Sequence, residues 1–230
     1  MSAFSPVFQA FAADCSAAAI QQQDVLNDHL GSAPHTIDLN ARTLAGKGNV
    51  YGGLTSLGSF SHCSQTWLWS WDNPHLGWDH PAVEPLRRIV RFGERHEIPE
   101  LTTGHIDLSD FPDPHQAAST MAIAASYVLG GQGVWSCRIN DGKGSTYVHL
   151  DDPRLPVAGY EPLAASRLLM TAVEVFPADH RRVVRGYFER LDLPYQENED
   201  AITGGPDGGA QVVVGFTGNG LLDRISTKVR

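Results

Sequence analysis

The stretch Thr66 to Pro74, TWLWSWDNP, sets three of the chain's five tryptophans at alternating positions and then breaks into a turn. Alternation is the period of a β-strand, so Trp67, Trp69 and Trp71 are expected on one face, with Leu68 and Ser70 on the other. A face of three indoles has two readings. It belongs to the core, because large aromatics dominate core packing, or it is a contact surface, because exposed aromatic clusters act as binding hot spots.

Around this strand the pattern predicts an α+β fold. Apolar residues Val7, Phe8, Phe11, Cys15, Ala18, Ala19, Val25 and Leu26 recur at helical spacing, so Ser5 to Leu30 reads as a helix ending at Gly31, with Ser5 as cap and Pro6 in the first turn. Strands are expected at His35 to Leu44, Val50 to Phe60 and Gln65 to Trp71, the first two joined by the AGKGN turn. A helix follows from Pro81 to His96, closed by Pro99. ELTTGHIDL reads as a strand or an extended crossover, and LSDFPDP as a loop into a third helix, Pro114 to Leu129, closed by GGQG. Val134 to Ile139 and Ser145 to Leu150 form a hairpin around NDGKG. Helices at Pro162 to Val175 and Asp179 to Leu191 precede a terminal meander built on QVVVGF and LLDRISTKV. The expected architecture is a largely antiparallel sheet with helices packed on one face. Residues 1–110 form a first half carrying the Trp strand and residues 111–230 a second, packed together as one unit.

The Trp segment has an internal echo. TWLWSWDNPHL, Thr66 to Leu76, matches TYVHLDDPRL, Thr146 to Leu155, with one residue deleted. Each is followed by EPL (Glu84 to Leu86, Glu161 to Leu163), a helix, and EIP or EVFP. One reading is a duplicated strand, turn, helix and stop that relates the two halves. The other is that strand-to-helix transitions favour Asp, Asn and Pro wherever they occur.

Composition bounds the function. With 42% hydrophobic residues the 230-residue chain has material for a sizeable core. A net charge of −9 opposes attraction to phosphate backbones or anionic lipid, so neither nucleic acid nor membrane is an expected partner. Cys15, Cys63 and Cys137 are scattered and odd in number, which suits reduced thiols in a cytoplasmic protein. The alanine-rich N-terminus lacks a basic n-region, and Asp14 interrupts its apolar run before Cys15, so it reads as a helix of the mature protein.

Three motifs in order, TWLWSWDNP, GERHEIPEL (Gly93 to Leu101) and FPADHRR (Phe176 to Arg182), resemble a bacterial family, a domain of unknown function, whose members carry a TWLWxWxNP-like segment. The resemblance runs from the first helix to the terminal meander. It implies no activity, cofactor or catalytic residue. This chain departs from it in having Asp72 where a small residue is more usual. The order of elements is also similar to that of bacterial secretion chaperones, which are binding proteins.

No catalytic constellation survives inspection, and none is assigned. GxSxG is absent. Cys63 has His62 beside it, but strand neighbours point to opposite faces, which places His62 poorly as its base. HExxH and HxH are absent, and Asp107, Asp110, Asp113 and His115 read as a proline-braced connector with Asp113 capping the next helix, so no metal and no cofactor is expected. DGKGST lacks the first Walker glycine and leads into a strand. Arg87, Arg91 and Arg95, and likewise Arg181, Arg182 and Arg185, form either solvated helix faces or basic stripes for an acidic partner. The expectation is a non-catalytic module that binds another protein, of immunity or chaperone kind, through Trp67, Trp69 and Trp71. The alternative is a small-ligand site or enzyme at the strand ends, where Asp72, Asn73 and His75 after one strand meet His149, Asp151 and Asp152 after the other.

Overall fold

The N-terminal helix α1 spans Pro6–Leu30, and Ser5 caps it by accepting from Phe8 N at 3.2 Å. In the computed structural model, which describes residues 3–177 and 179–228, the chain divides into two compact units. Unit 1 comprises Met1–Phe8 and Gln23–Val157, and unit 2 comprises Gln9–Gln22 and Ala158–Arg230, so α1 contributes residues to both. Among the described residues all strand pairings in the three sheets are antiparallel, and with five helices there the fold is α+β.

Unit 1 holds two sheets. The smaller runs β1 (Thr36–Asp38), β2 (Thr43–Gly46), β3 (Asn49–Tyr51) in order. The segment His35 to Leu44, expected as one strand, is therefore divided between β1 and β2 by a turn: Asp38 Oδ1 accepts from Ala41 N at 2.9 Å and Arg42 takes a left-handed φ of 55°. The expected strand Val50 to Phe60 is likewise divided, because Gly52 and Gly53 interrupt it between β3 and β4 (Thr55–Ser61). Gly53 has φ 67°, and a Cβ there would meet the Asp151 carbonyl oxygen at 2.1 Å. Only glycine admits that approach of two backbones.

The larger sheet has the order β6-β5-β4-β8-β7, with β5 at Thr66–Trp69, β6 at His105–Asp107, β7 at Val134–Ile139 and β8 at Gly144–His149. Phe60 pairs with Trp67, and Thr55 with His149 at the sheet's end. Helix α3 (Pro114–Leu129) packs on β4, β7 and β8, with buried Ala117, Ala118, Met121, Ala122 and Ala125 allowing close approach. Its cap is Asp113, which accepts from Gln116 N at 3.0 Å as the sequence predicts. Helix α2 (Arg87–Arg95), preceded by a 3₁₀ turn at Glu84–Leu86, packs on α3. A cluster of Leu26, Leu30, Leu44, Tyr51, Leu54, Ala82, Val148, Leu150 and Leu155 forms one core of this unit.

Unit 2 is a four-stranded sheet, β12-β11-β10-β9, made by β9 (Tyr195–Glu197), β10 (Ala201–Gly204), β11 (Gln211–Phe216) and β12 (Leu222–Lys228). Helix α4 (Pro162–Val175) packs on β11 and β12, and α5 (His180–Arg190) on β10. Asp179 caps α5 by accepting from Arg182 N at 2.9 Å. The core joins Leu168, Leu169, Val183, Val184, Tyr187, Phe188, Ile202, Val212 and Val214 to Ala13 and Ala17. Arg182 grips Asp14 bidentately at 2.5 and 2.7 Å. Val229 of the expected last strand and Ala178 of FPADHRR lie outside the described residues. Among the described residues no helix is long and apolar enough to cross a membrane.

Candidate functional site

Trp67 and Trp69 are both fully buried on β5 and meet edge to face at a centroid distance of 5.2 Å. Trp69 Nε1 donates to the Glu100 carbonyl at 3.0 Å, while Trp67 Nε1 is buried without a partner. Trp71 corrects the sequence expectation, because the strand ends at Trp69 and Ser70–Asp72 is a 3₁₀ turn. Ser70 is the reason: its hydroxyl is drawn inward to Ser56 Oγ at 2.7 Å, so the chain bends instead of continuing the pleat. The half-buried Trp71 lies flat on Trp69, with 4.6 Å between centroids and 10° between planes, and Trp78 stacks on Trp71 at 5.5 Å and 4°. Arg87 then covers Trp78, its guanidinium carbon 4.7 Å from the ring centre. The tryptophans thus form a ladder that starts in the core and ends at an arginine on α2.

That arginine opens a pocket of about 280 Å³ in unit 1. Its lining includes Arg42 from the β1–β2 turn, Arg87, Arg88 and Arg91 from α2, Glu84, Thr55, and His149 with Asp151 at the end of β8. Four guanidiniums against two carboxylates leave an excess of two positive charges in a chain of net charge −9. Among the described residues no ion pair ties any of the four to a carboxylate. Arg42 Nε donates to the Leu54 carbonyl at 3.0 Å, and Arg88 donates to the Val128 and Leu129 carbonyls at 3.3 Å, closing the C-terminus of α3. Both side chains are thereby oriented and keep further donors.

His149 is 1% exposed. Its Nδ1 lies 2.8 Å from Ser126 Oγ in a buried hydrogen bond, and its Nε2 is buried with no partner. Burial holds its pKa down at about 4; Asp151 and the Gly133 carbonyl oppose that, and Arg88 adds to it. The imidazole is neutral at neutral pH. An unpartnered polar atom in this position is costly unless something else is to meet it.

The structure brings together His149 and Asp151 of the sequence candidates. Asp152 is turned away into its own network: Oδ2 accepts from Gly52 N at 2.6 Å, and both oxygens bind Arg154. Arg154, led by its hydrogen bonds, keeps the Asp152 carboxyl far below the usual carboxylate range. Asp72, Asn73 and His75 sit in the turn after β5 and do not line the pocket; Asn73 Oδ1 accepts from His75 N at 2.9 Å. The echo of the Trp segment is distributed unevenly, since β8 belongs to unit 1 and the helix following the second EPL to unit 2. His62 is engaged on both ring nitrogens, by the Gly142 carbonyl at 2.8 Å and Ser145 Oγ at 2.9 Å, and Cys63 beside it is exposed. Among the described residues no group of three or more His, Cys, Asp or Glu side chains stands ready to hold a metal ion.

Arg42, Glu84 and Arg88 were not among the candidate site residues, although the R-R-x-x-R spacing at the start of α2 carries a signal for Arg87 and Arg91 as one face. Arg42 has no local signal, because only the fold carries the β1–β2 turn to the start of β4. No curated protein and no solved structure matches the chain. A family model matches residues 9–153, which include the Trp segment and the residues lining the pocket, and the chain belongs to that family of unknown function, DUF6882.

Proposed function

We propose that unit 1 is a small-ligand-binding module that takes an anion into the arginine pocket, without chemistry. The observation that carries this reading is the convergence of Arg42, Arg87, Arg88 and Arg91, none held in an ion pair, around a cavity lined by buried His149 with its unpartnered Nε2. Guanidiniums are the side chains best shaped for carboxylate and phosphate oxygens. The hydroxyl that touches His149 belongs to Ser126, which is buried and so is poorly placed to attack a ligand. The three free cysteines support a cytoplasmic setting.

A second reading, binding of another protein, keeps the support of one feature. Trp71 and Trp78 remain partly exposed at the outer end of the ladder, although Trp67 and Trp69 have no face to offer.

Thermal unfolding of the full chain in phosphate, pyrophosphate, citrate and chloride at equal ionic strength tests the first reading. A ligand that binds only the folded state raises the midpoint in proportion to RT ln(1 + [L]/Kd). Phosphate, pyrophosphate or citrate is expected to raise it above chloride, and the Arg87→Ala/Arg91→Ala variant to abolish the rise. Equal midpoints in all four salts would overturn the reading.

A further inference from the structure

Resting on the anion-pocket reading, we propose that the ligand is a phosphate monoester of a small hydroxylated molecule, its phosphoryl group held by the arginines and its hydroxyls by Glu84 and Asp151.

The geometry of the donors selects the anion. Arg42 comes from a turn and Arg87, Arg88 and Arg91 from one helix end, so the forks arrive from two separate supports. A carboxylate presents two coplanar oxygens and is satisfied by one fork, whereas a phosphoryl dianion presents three oxygens spread in space and takes several. Its charge also matches the excess of two on the lining. His149, held at Nδ1 by Ser126 Oγ and kept neutral by burial, lines the pocket without adding charge to it. Arg87 lies over Trp78, which stacks on Trp71 and through it on Trp69, so one of the pocket's guanidiniums is supported by a column of aromatic rings.

The two carboxylates select the rest of the molecule. As carboxylates, Glu84 and Asp151 can only accept hydrogen bonds, and they would repel a bare inorganic anion. They suit a ligand whose other end donates. Hydroxyls do so without adding the positive charge that the arginines would oppose. The volume, about 280 Å³, lies at the low end for small-molecule sites, so the occupant is compact, of the size of a triose to hexose phosphate.

Calorimetric titration of the full chain with glycerol 3-phosphate, ribose 5-phosphate, glucose 6-phosphate, inorganic phosphate, citrate and glucose separates this inference from the reading beneath it. At least one phosphate monoester is expected to bind about tenfold tighter than inorganic phosphate, the equivalent of one charged hydrogen bond, with glucose silent. Arg91→Ala is expected to weaken monoester and phosphate alike by about tenfold, and Glu84→Gln to weaken only the monoester. Both positions are exposed, and an unfolding curve confirms that each variant folds; Arg87→Ala stands in for Arg91→Ala should that fail. Citrate binding tighter than every phosphate would overturn the ligand class and leave the anion pocket standing. Monoesters no better than inorganic phosphate would overturn the role of Glu84 and Asp151. Silence from every anion would overturn both.

Discussion

Ser126 Oγ and His149 Nδ1 lie 2.8 Å apart in a buried hydrogen bond that joins α3 to the end of β8 and fixes the imidazole plane. The bond uses one ring nitrogen and leaves the other buried without a partner. Burial costs the charged form of the ring more than the neutral form, and that has a pH consequence.

The folded-state pKa of His149, about 4, is below the unfolded value of about 6.5. Between those values the unfolded chain binds the extra proton. His149 therefore contributes nothing adverse above pH 6.5, progressively destabilises as pH falls towards 4, and has no further effect below it. Over this window the loss is on the order of 3 kcal/mol. Urea unfolding at pH 7 and pH 4.5 should show wild type losing more stability than His149→Gln. Equal losses would mean that the ring is protonated in the folded state.

Trp69→Ala should cost about 3–5 kcal/mol, because it empties a fully buried site between Trp67 and Trp71 and orphans the Glu100 carbonyl. Trp71→Ala removes a half-buried ring and should cost under about 2 kcal/mol. Chemical unfolding of both variants gives the comparison. A Trp69→Ala cost no larger than that of Trp71→Ala would return the strand to the surface.

The sequence carries the elements whose signals are local. α3 shows this, with Asp113 as its cap and Gly130 and Gly131 at its end, and so does the hairpin of β7 and β8, which turns through Asn140, Asp141 and Gly142, all at positive φ. Trp67 and Trp69 alternate as written, whereas Trp71 leaves the pattern through a tertiary contact, Ser56 with Ser70, that no local spacing encodes. The pocket follows the same rule. His149 and Asp151 are legible as a strand end, but Arg42 enters only because β1 and β2 form a separate small sheet whose turn reaches Leu54.

Gly53 should tolerate no side chain. Gly53→Ala places a methyl 2.1 Å from the Asp151 carbonyl oxygen at φ 67°, so either the β3–β4 link or the segment after β8 must move. A cost of about 1–3 kcal/mol is expected, with weakened anion binding, since Gly53 and Asp151 both line the pocket. Calorimetry and thermal unfolding on the same variant test both effects; wild-type affinity at reduced stability would detach this contact from the pocket's shape.

Asp152→Asn tests the brace behind the site. The native carboxylate accepts from Gly52 N, from Arg154 N at 2.9 Å and from Arg154 Nε at 2.8 Å, and the Arg154 guanidinium also reaches the Val50 carbonyl. An amide offers one acceptor oxygen and turns an NH₂ toward donors, leaving buried groups unmatched, at a cost of about 2–4 kcal/mol. Because the carboxyl's folded pKa is depressed, its stabilisation is full above the unfolded value near 4 and is lost as pH falls towards the folded value. The stability gap between wild type and variant should therefore be widest at neutral pH and shrink as pH drops below about 4. A gap that stays constant through that range would mean that the brace works by shape, with the charge on Asp152 contributing nothing.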